Sequence, residues 1–263
     1  MKKVFIVMAA LSFATLATAQ EAKIMYIMKN NAVVFKSFVS DIDSIFFVDE
    51  IIKIIKNNTN HDDNIAYQSA VSDIDSIIFK PLIIPEGGVL INGVIWATCN
   101  VDKPGTFANK PEDVGMFYQW NRNIGWSTTE LIDFNGGTTC DGTYSTAYIW
   151  EKSNNPCPSG WRVPTISDFT FLDGTKVEYK WILEKNGGEF KDINTGNTLF
   201  LPAVGYRNGC DASFNGAGSY GYYWSNVSNN SSGAYALEFD SSNATYHFGW
   251  YKVSGLSCRC VAE

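Results

Sequence analysis

Ser40-Asp41-Ile42-Asp43-Ser44-Ile45 returns word for word as Ser72-Asp73-Ile74-Asp75-Ser76-Ile77, and a phenylalanine stands two residues after each, at Phe47 and Phe79. Upstream, Ile27-Met28-Lys29-Asn30-Asn31 is matched by Ile54-Ile55-Lys56-Asn57-Asn58. Residues 24–47 and 51–79 are therefore two copies of one unit, the second lengthened by an insert around residues 59–63. A repeat of this kind decides the architecture of its segment before any other pattern is read. Each copy reads as paired strands, 24–28 with 33–39 and 51–55 with 65–71, rich in apolar and β-branched residues. The Asn-Asn pair between them is turn chemistry, because Asn tolerates positive φ. A turn at Ser-Asp then leads into a short strand, 45–48 or 77–80. One hairpin alone does not bury its apolar face. The two copies are expected to pack together or on the next domain, with Ile42/Ile74 and Phe47/Phe79 in equivalent buried places. Asp41 and Asp73 suit Asx-turns, and neither EF-hand spacing nor a Gly-rich nonapeptide follows them, so the Asp-x-Asp pairs are read as turns and no metal is assigned.

The first residues carry an address. Lys2 and Lys3 precede an apolar run over 4–16, and Ala17-Thr18-Ala19 forms a small-residue cleavage site before Gln20. That is the pattern of a secretory signal peptide, and the run is short for a bilayer span. Residues 1–19 are expected to be removed, leaving a chain that starts at Gln20 and is periplasmic, cell-surface or extracellular. No Cys stands at the cleavage point, which argues against a lipoprotein anchor, and no later stretch reads as a membrane span. The chain has 27 acidic and 20 basic residues, a net charge of −7, which becomes −9 without Lys2 and Lys3. Without a basic block there is no electrostatic footprint for nucleic acid. Charged residues make up only 18% and aromatics 14%, which points to a globular β-rich chain with an aromatic core or aromatic binding faces.

All six cysteines, Cys99, Cys140, Cys157, Cys210, Cys258 and Cys260, follow the repeat. An even number in an exported chain suggests disulfides. Zinc is the competing reading, but Cys258 and Cys260 are one residue apart rather than the two to four of a zinc knuckle, and no His lies at ligand spacing. The spacing by itself does not order the pairs.

Pro81 and Pro85-Glu86-Gly87-Gly88 break the pattern of the repeat. The organisation read from this is a signal peptide at 1–19, the repeat at 20–82, a linker at 83–88 and a second domain at 89–263. That domain opens with Val89-Leu90-Ile91, then Asn92-Gly93, then Val94-Ile95-Trp96, which is a hairpin with a strong turn signal. Thr165 with Asp168 three residues on marks a helix start before 166–172. Short strands are expected at 179–183, 199–202, 222–225, 234–239, 245–250 and 257–261. The fold class is α+β, mostly β, with low helix content. Gly87-Gly88, Gly136-Gly137 and Gly187-Gly188 read as turn glycines rather than a phosphate cradle.

Longer words then line up. Ile91-Asn92-Gly93-Val94-Ile95-Trp96-Ala97-Thr98-Cys99-Asn100, Gly115-Met116-Phe117-Tyr118-Gln119-Trp120 and Cys157-Pro158-Ser159-Gly160-Trp161-Arg162-Val163-Pro164-Thr165 come first. Phe200-Leu201-Pro202-Ala203-Val204-Gly205-Tyr206-Arg207, Tyr223-Trp224-Ser225 and Gly255-Leu256-Ser257-Cys258-Arg259-Cys260-Val261 complete the set. In this order they resemble the Fibrobacter succinogenes major paralogous domain family across 89–263. The resemblance implies a C-type-lectin-like fold, also used by formylglycine-generating enzymes, in secreted or surface proteins of Gram-negative bacteria. It also implies a disulfide between the Cys before Pro-x-Gly-Trp and the Cys near the end of the chain, here Cys157 and Cys260. Trp96, Trp161 and Trp224 fall inside these words and are read as core.

No enzyme is read from the residues. A formylglycine-type oxidase resemblance needs a pair of cysteines before the final strand, and Gly249-Trp250-Tyr251-Lys252-Val253-Ser254-Gly255 holds none. Only His61 and His247 exist, and no Gly-x-Ser-x-Gly elbow, P-loop or dinucleotide fingerprint appears. Of the calcium-dependent sugar site of C-type lectins, Trp224-Ser225-Asn226 echoes one part weakly and the second motif is absent. The positive clue is aromatic: Tyr206, Tyr220, Tyr222, Tyr223, Trp224, Tyr246, Trp250 and Tyr251 crowd the last third among Asn, Ser and Gly. Flat apolar rings with small polar neighbours suit sugar or peptide recognition. The candidate ligand-binding residues are Tyr220, Tyr222, Asn208, Asp211 and Trp250, around the loop 208–221, with no cofactor. The functions expected are a glycan- or protein-binding module, a structural subunit that self-assembles through its N-terminal strands, or a formylglycine-type oxidase.

Overall fold

The computed structural model describes residues 23–39, 42–48, 50–56, 65–127, 143–172, 174–209, 211 and 213–263. The signal-peptide reading, His61, Cys140, Cys210 and Gly136-Gly137 lie outside them. The chain divides into two compact units, Met1–Ile83 and Ile84–Glu263.

The first unit contains β1 (Lys23–Lys29), β2 (Ala32–Phe38), β3 (Ile42–Val48), β4 (Ile51–Lys56), β5 (Ile65–Ala70) and β6 (Ser76–Pro81). They form two antiparallel three-stranded sheets, ordered β2-β1-β6 and β3-β4-β5. Asn30 and Asn31 both take positive φ, 51° and 62°, and close the β1–β2 hairpin. β6 pairs with β1, and β3 pairs with β4, so the strand that follows each hairpin in sequence lies on the other hairpin. The core is small. Met25, Ile27, Ile52 and Ile54 are fully buried, with Phe35, Ile45, Tyr67, Ile77 and others packed against them. Ile42 and Ile74 pack on this core half-buried. Phe47 and Phe79 depart from the expectation: both are 46% exposed. Each stands opposite a buried residue, Ile52 or Met25, but on an outer strand with no neighbour on its far side among the described residues.

The second unit begins with β7 (Gly88–Ile91), β8 (Val94–Ala97), β9 (Phe117–Gln119), β10 (Gly125–Trp126) and β11 (Trp161–Arg162), followed by the one α-helix among the described residues, α1 (Ile166–Thr170). Then come β12 (Val177–Ile182), β13 (Gly187–Asp192), β14 (Thr198–Pro202), β15 (Tyr206–Arg207), β16 (Phe214–Asn215) and β17 (Gly221–Ser228). The last are β18 (Gly233–Phe239), β19 (Ala244–Tyr251), β20 (Gly255–Ser257) and β21 (Val261–Ala262). The unit is thus mostly β with little helix. Asn92 and Gly93, at φ 42° and 88°, turn β7 into β8. At α1 the Thr165 hydroxyl accepts the Asp168 N–H at 3.1 Å, and the Asp168 carboxylate accepts the Thr165 N–H at 2.7 Å. That is the reciprocal cap the Thr-x-x-Asp spacing predicts.

The main sheet runs β10-β9-β20-β17-β18-β19, with β15 and β16 attached through β20. Residue alternation along β17 sends Tyr222 and Trp224 to one face and Tyr223 to the other. The first face packs on Tyr118, Trp120, Trp150 and Trp161. The second packs on Trp96, Phe169, Phe190 and Leu199, under α1 and the sheet β12-β13-β14. Trp96, Trp161 and Trp224 are all core.

The end of the chain is stitched to the start of this unit. β21 lies between β11 and β8 in the sheet β11-β21-β8-β7. The Ala97 N–H donates to the Cys260 carbonyl at 2.9 Å, and the Val101 N–H to the Cys258 carbonyl at 3.0 Å. Cys157 and Cys260 form a disulfide with Cα atoms 6.1 Å apart, while Cys258 is a buried free thiol and Cys99 a half-buried one. The single strand expected at 257–261 is split into β20 and β21 by residues 258–260, which carry these contacts. Arg259 is wholly buried, with Nε donating to Asn100 Oδ1 at 2.9 Å and Nη1 to the Ala97 carbonyl at 3.2 Å.

Gly187 and Gly188 are also not turn glycines: they open β13. A Cβ on Gly187 would lie 2.5 Å from the Phe200 ring, and one on Gly188 would lie 2.6 Å from the Tyr179 ring. Glycine is needed there for the close approach of side chains from β14 and β12 rather than for a bend.

Candidate functional site

β17, β19 and β15 bring three aromatic residues together on the first face of the main sheet, and the residue before β17 adds a fourth. Tyr222 is the base of the cluster, only 6% exposed. Its ring lies 4.5 Å from Trp250, tilted, and 5.5 Å from Tyr206, edge-on. Tyr206 and Trp250 meet edge-on at 4.9 Å. Tyr220 stacks on Tyr222 with centroids 6.0 Å apart and planes 19° from parallel, and it remains 39% exposed. The arrangement is a packed block of rings with one stacked member reaching solvent. The rings touch one another, so a ligand would lie on the block rather than inside it.

A carboxylate adjoins the block. Glu238 on β18 is the cross-strand partner of Tyr222, and its carboxylate lies close enough to the phenol for each to shift the other's titration. Burial, followed by the charge of Glu238, pushes the Tyr222 phenol well above its ordinary value. Burial also raises the Glu238 carboxyl, the interaction with the Tyr222 phenol works the other way, and the nearby Asp240 charge raises it further. Glu238 is thus a half-buried acceptor beside an aromatic face, the pairing that suits hydroxyl-bearing or amide-bearing ligands.

Three of the five sequence candidates, Tyr220, Tyr222 and Trp250, meet in this block. Asn208 and Asp211 lie in the β15–β16 connection. The Asn208 N–H closes that loop on the Ser213 carbonyl at 2.8 Å. The Asp211 carboxylate accepts the Ser213 N–H at 2.9 Å, an Asx-turn, and its hydrogen bond from the Ser213 hydroxyl holds it below the usual aspartate range. Asp211 therefore has a turn to maintain, and no contact places it in the ring block. Sequence reading missed Glu238. The only signal was alternation: along Leu237-Glu238-Phe239 the acid faces opposite to its two buried neighbours, the same way as Tyr222.

A second polar cluster lies on the same face. Lys252 is fully buried, its Nζ 4.5 Å from the Trp120 ring centroid. It donates to the carbonyls of Ser145 at 3.1 Å, Ala147 at 3.0 Å and Ser231 at 3.3 Å. All three ammonium protons have acceptors, so its role is to hold the segment around Ser145–Ala147 and the turn at Ser231 against β19. His247 falls on β19, the outer strand of the main sheet. Among the described residues no group of three His, Cys, Asp or Glu side chains is placed to hold a metal ion, and no helix is long and apolar enough to cross a membrane.

Scaffold and block together define a class of protein: a β-rich domain whose closing segment is bonded to its opening hairpin and disulfide-linked at Cys157, with an aromatic face beside a half-buried carboxylate. The family described as the Fibrobacter succinogenes major domain matches residues 89–262, and the chain belongs to it. No curated protein and no solved structure matches the chain.

Proposed function

We propose that the chain is an exported, non-enzymatic binding module that recognises a glycan or a protein at the bacterial surface through the aromatic block. The observation that carries this reading is Tyr220, stacked on a buried Tyr222 and exposed to solvent, with the Glu238 carboxylate adjoining the same block. A rigid ring backed by other rings loses little entropy on binding and offers the flat apolar surface a sugar face or a peptide side chain needs. The C-type-lectin-like reading of 89–263 draws support from the pairing of β21 with β8. Export draws support from the Cys157–Cys260 disulfide, which persists in oxidising compartments. The oxidase reading is weakened by the same facts: Cys260 is bonded, and burial pushes the Cys258 thiol far above the range of a reactive one.

Glycan-array and surface-protein binding by the full exported chain tests the proposal. Binding is expected to weaken about tenfold or more in Tyr220→Ala, as for an exposed ring at the centre of an interface. A bound ligand indifferent to Tyr220→Ala, or no ligand on either panel, would sink it.

One observation favours a second reading, a structural subunit that adds strands through its N-terminal unit. Each outer strand of that unit exposes an apolar side chain: Val33 and Val34 on β2, Ile65 on β5, Phe47 on β3 and Phe79 on β6. Open apolar edges are templates for further pairing. Concentration-dependent association that disappears when residues 20–82 are deleted is the expected signature.

A further inference from the structure

The two third-strand contacts of the N-terminal unit are one contact made twice. β6 lies on β1 with Met25 opposite Phe79 and Ile27 opposite Ile77. β3 lies on β4 with Ile52 opposite Phe47 and Ile54 opposite Ile45. These are equivalent residues of the two copies in the same register. The hairpins agree as well, since the ladder slips between Ile27 and Met28 in one and between Ile54 and Ile55 in the other. The unit therefore has two equivalent docking edges, β1 and β4, and the strand that fills each carries the same pattern, Ser-Ile followed two residues on by Phe, at 44–47 in β3 and 76–79 in β6.

The two edges differ in how their strand is tethered. Only two residues separate β3 from β4 in the sequence, so that pairing is local. β6 returns to β1 from the other end of the unit, after residues 71–75. That connection is held by the Val71 N–H on the Glu50 carbonyl and the Asp75 N–H on the Met28 carbonyl, both at 2.7 Å, by a Lys29–Asp73 ion pair at 3.9 Å, and by Val71 and Ile74, which pack half-buried on the core. Lifting β6 breaks one ladder and uncovers one side of a core in which, among the described residues, four side chains are fully buried. A core so small makes that opening low in free energy.

We propose that β6 also docks on β1 of a second copy of this chain, so that two chains exchange β6 reciprocally and associate through the Lys23–Pro81 unit. This deepens the strand-addition reading above by naming the strand, its docking edge and the partner. The partner is a second copy because the edge is filled by one sequence word, and this chain carries that word already docked in this register. Exchange keeps every β1–β6 hydrogen bond and side-chain contact, so concentration alone decides between the closed and the exchanged form.

Met28 and Ser76 are register partners at the end of the β1–β6 ladder, one half-buried and one exposed. The test is the full chain with Met28→Cys and Ser76→Cys in a Cys99→Ser background, with molar mass measured by size exclusion and light scattering across concentration. The parent and the reduced variant are expected to shift toward dimer as concentration rises. The variant oxidised while dilute, with β6 locked on its own β1, is expected to stay monomeric. Mixing chains that carry one substitution each is expected to give a covalent heterodimer. A dimer that the lock leaves unchanged overturns exchange but leaves strand addition at the β2 or β5 edge standing. A parent that stays monomeric up to about 1 mM overturns exchange outright, because that approaches the effective concentration of the tethered strand.

Discussion

Asp168 serves two partners with one carboxylate. It caps α1 through the Thr165 N–H and hydroxyl, both at 2.7 Å, and it takes Arg162 at 2.7 and 3.3 Å. Burial alone would raise its pKa, but the Arg162 hydrogen bonds and those from Thr165 together hold it below the ordinary 3.8. A carboxyl depressed by folding binds its proton more readily in the unfolded chain. Its contribution to stability is therefore complete above the unfolded value and is lost as pH falls through the folded one. Asp168→Asn is expected to destabilise the domain by about 1–2 kcal/mol at neutral pH, the usual range for a lost cap with a charged partner. It should also flatten the acid limb of the stability curve below about pH 4. Denaturant titrations of both proteins from neutral to acid pH check this, and parallel curves would show that Asp168 is not the group that titrates. Glu238 belongs to the same scale and illustrates what was hidden. The Thr165–Asp168 cap is legible because both halves are three residues apart, whereas the role of Glu238 depends on a strand partner sixteen residues earlier, Tyr222.

At the scale of elements, local chemistry was legible and close packing was not. Asn92-Gly93 announces its hairpin because Asn and Gly both take positive φ at little cost, as a type I′ turn requires at both central positions. Gly187-Gly188 announces nothing of the kind. Read along the chain it is a turn, and only the rings of Phe200 and Tyr179, brought in by β14 and β12, make it a strand. Gly187→Ala is accordingly expected to cost about 1–3 kcal/mol, because its Cβ would lie 2.6 Å from the Leu201 carbonyl oxygen, a backbone atom that does not swing away. Gly196, in the β13–β14 turn at φ 75° with nothing near its Cβ, serves as the control. Gly196→Ala should cost only the backbone strain of positive φ, about 1 kcal/mol. Urea titrations of the two variants give the comparison, and an equal or smaller loss at Gly187 would contradict the packing account. The repeat shows the same boundary. Strand positions follow from the β-branched runs, but alternation does not say which hairpin each third strand will join, and so the crossing of β6 to β1 and the exposure of Phe47 and Phe79 were not legible.

For the whole molecule, the unequal cores of the two units set the order in which they should lose structure. Among the described residues the first has four fully buried apolar side chains with half-buried ones around them, while the second buries two large clusters on the two faces of one sheet. Only the second holds a cross-link, Cys157–Cys260, with a sequence separation of 103. Closing a loop that long removes unfolded-chain entropy worth roughly 4–5 kcal/mol in the chain-entropy description, an upper figure because native strain reduces it. The bond also joins the residues that lead into β11 and α1 to the segment paired with β8. Reduction therefore acts on the second unit through its unfolded state and leaves the first without a bond to lose. Hydrogen exchange read by mass spectrometry on the oxidised and reduced full chain is the direct measurement. In the oxidised protein the amides of β1 and β4 are expected to exchange well before those of β17 and β18, because global opening of the smaller core is cheaper. After reduction, protection in peptides from 89–263 should fall by up to about a thousandfold, the equivalent of roughly 4 kcal/mol, while peptides from 23–81 keep their rates. A fall of the same size in both sets would mean that the two units unfold as one cooperative body, and the division between Ile83 and Ile84 would then have no energetic meaning.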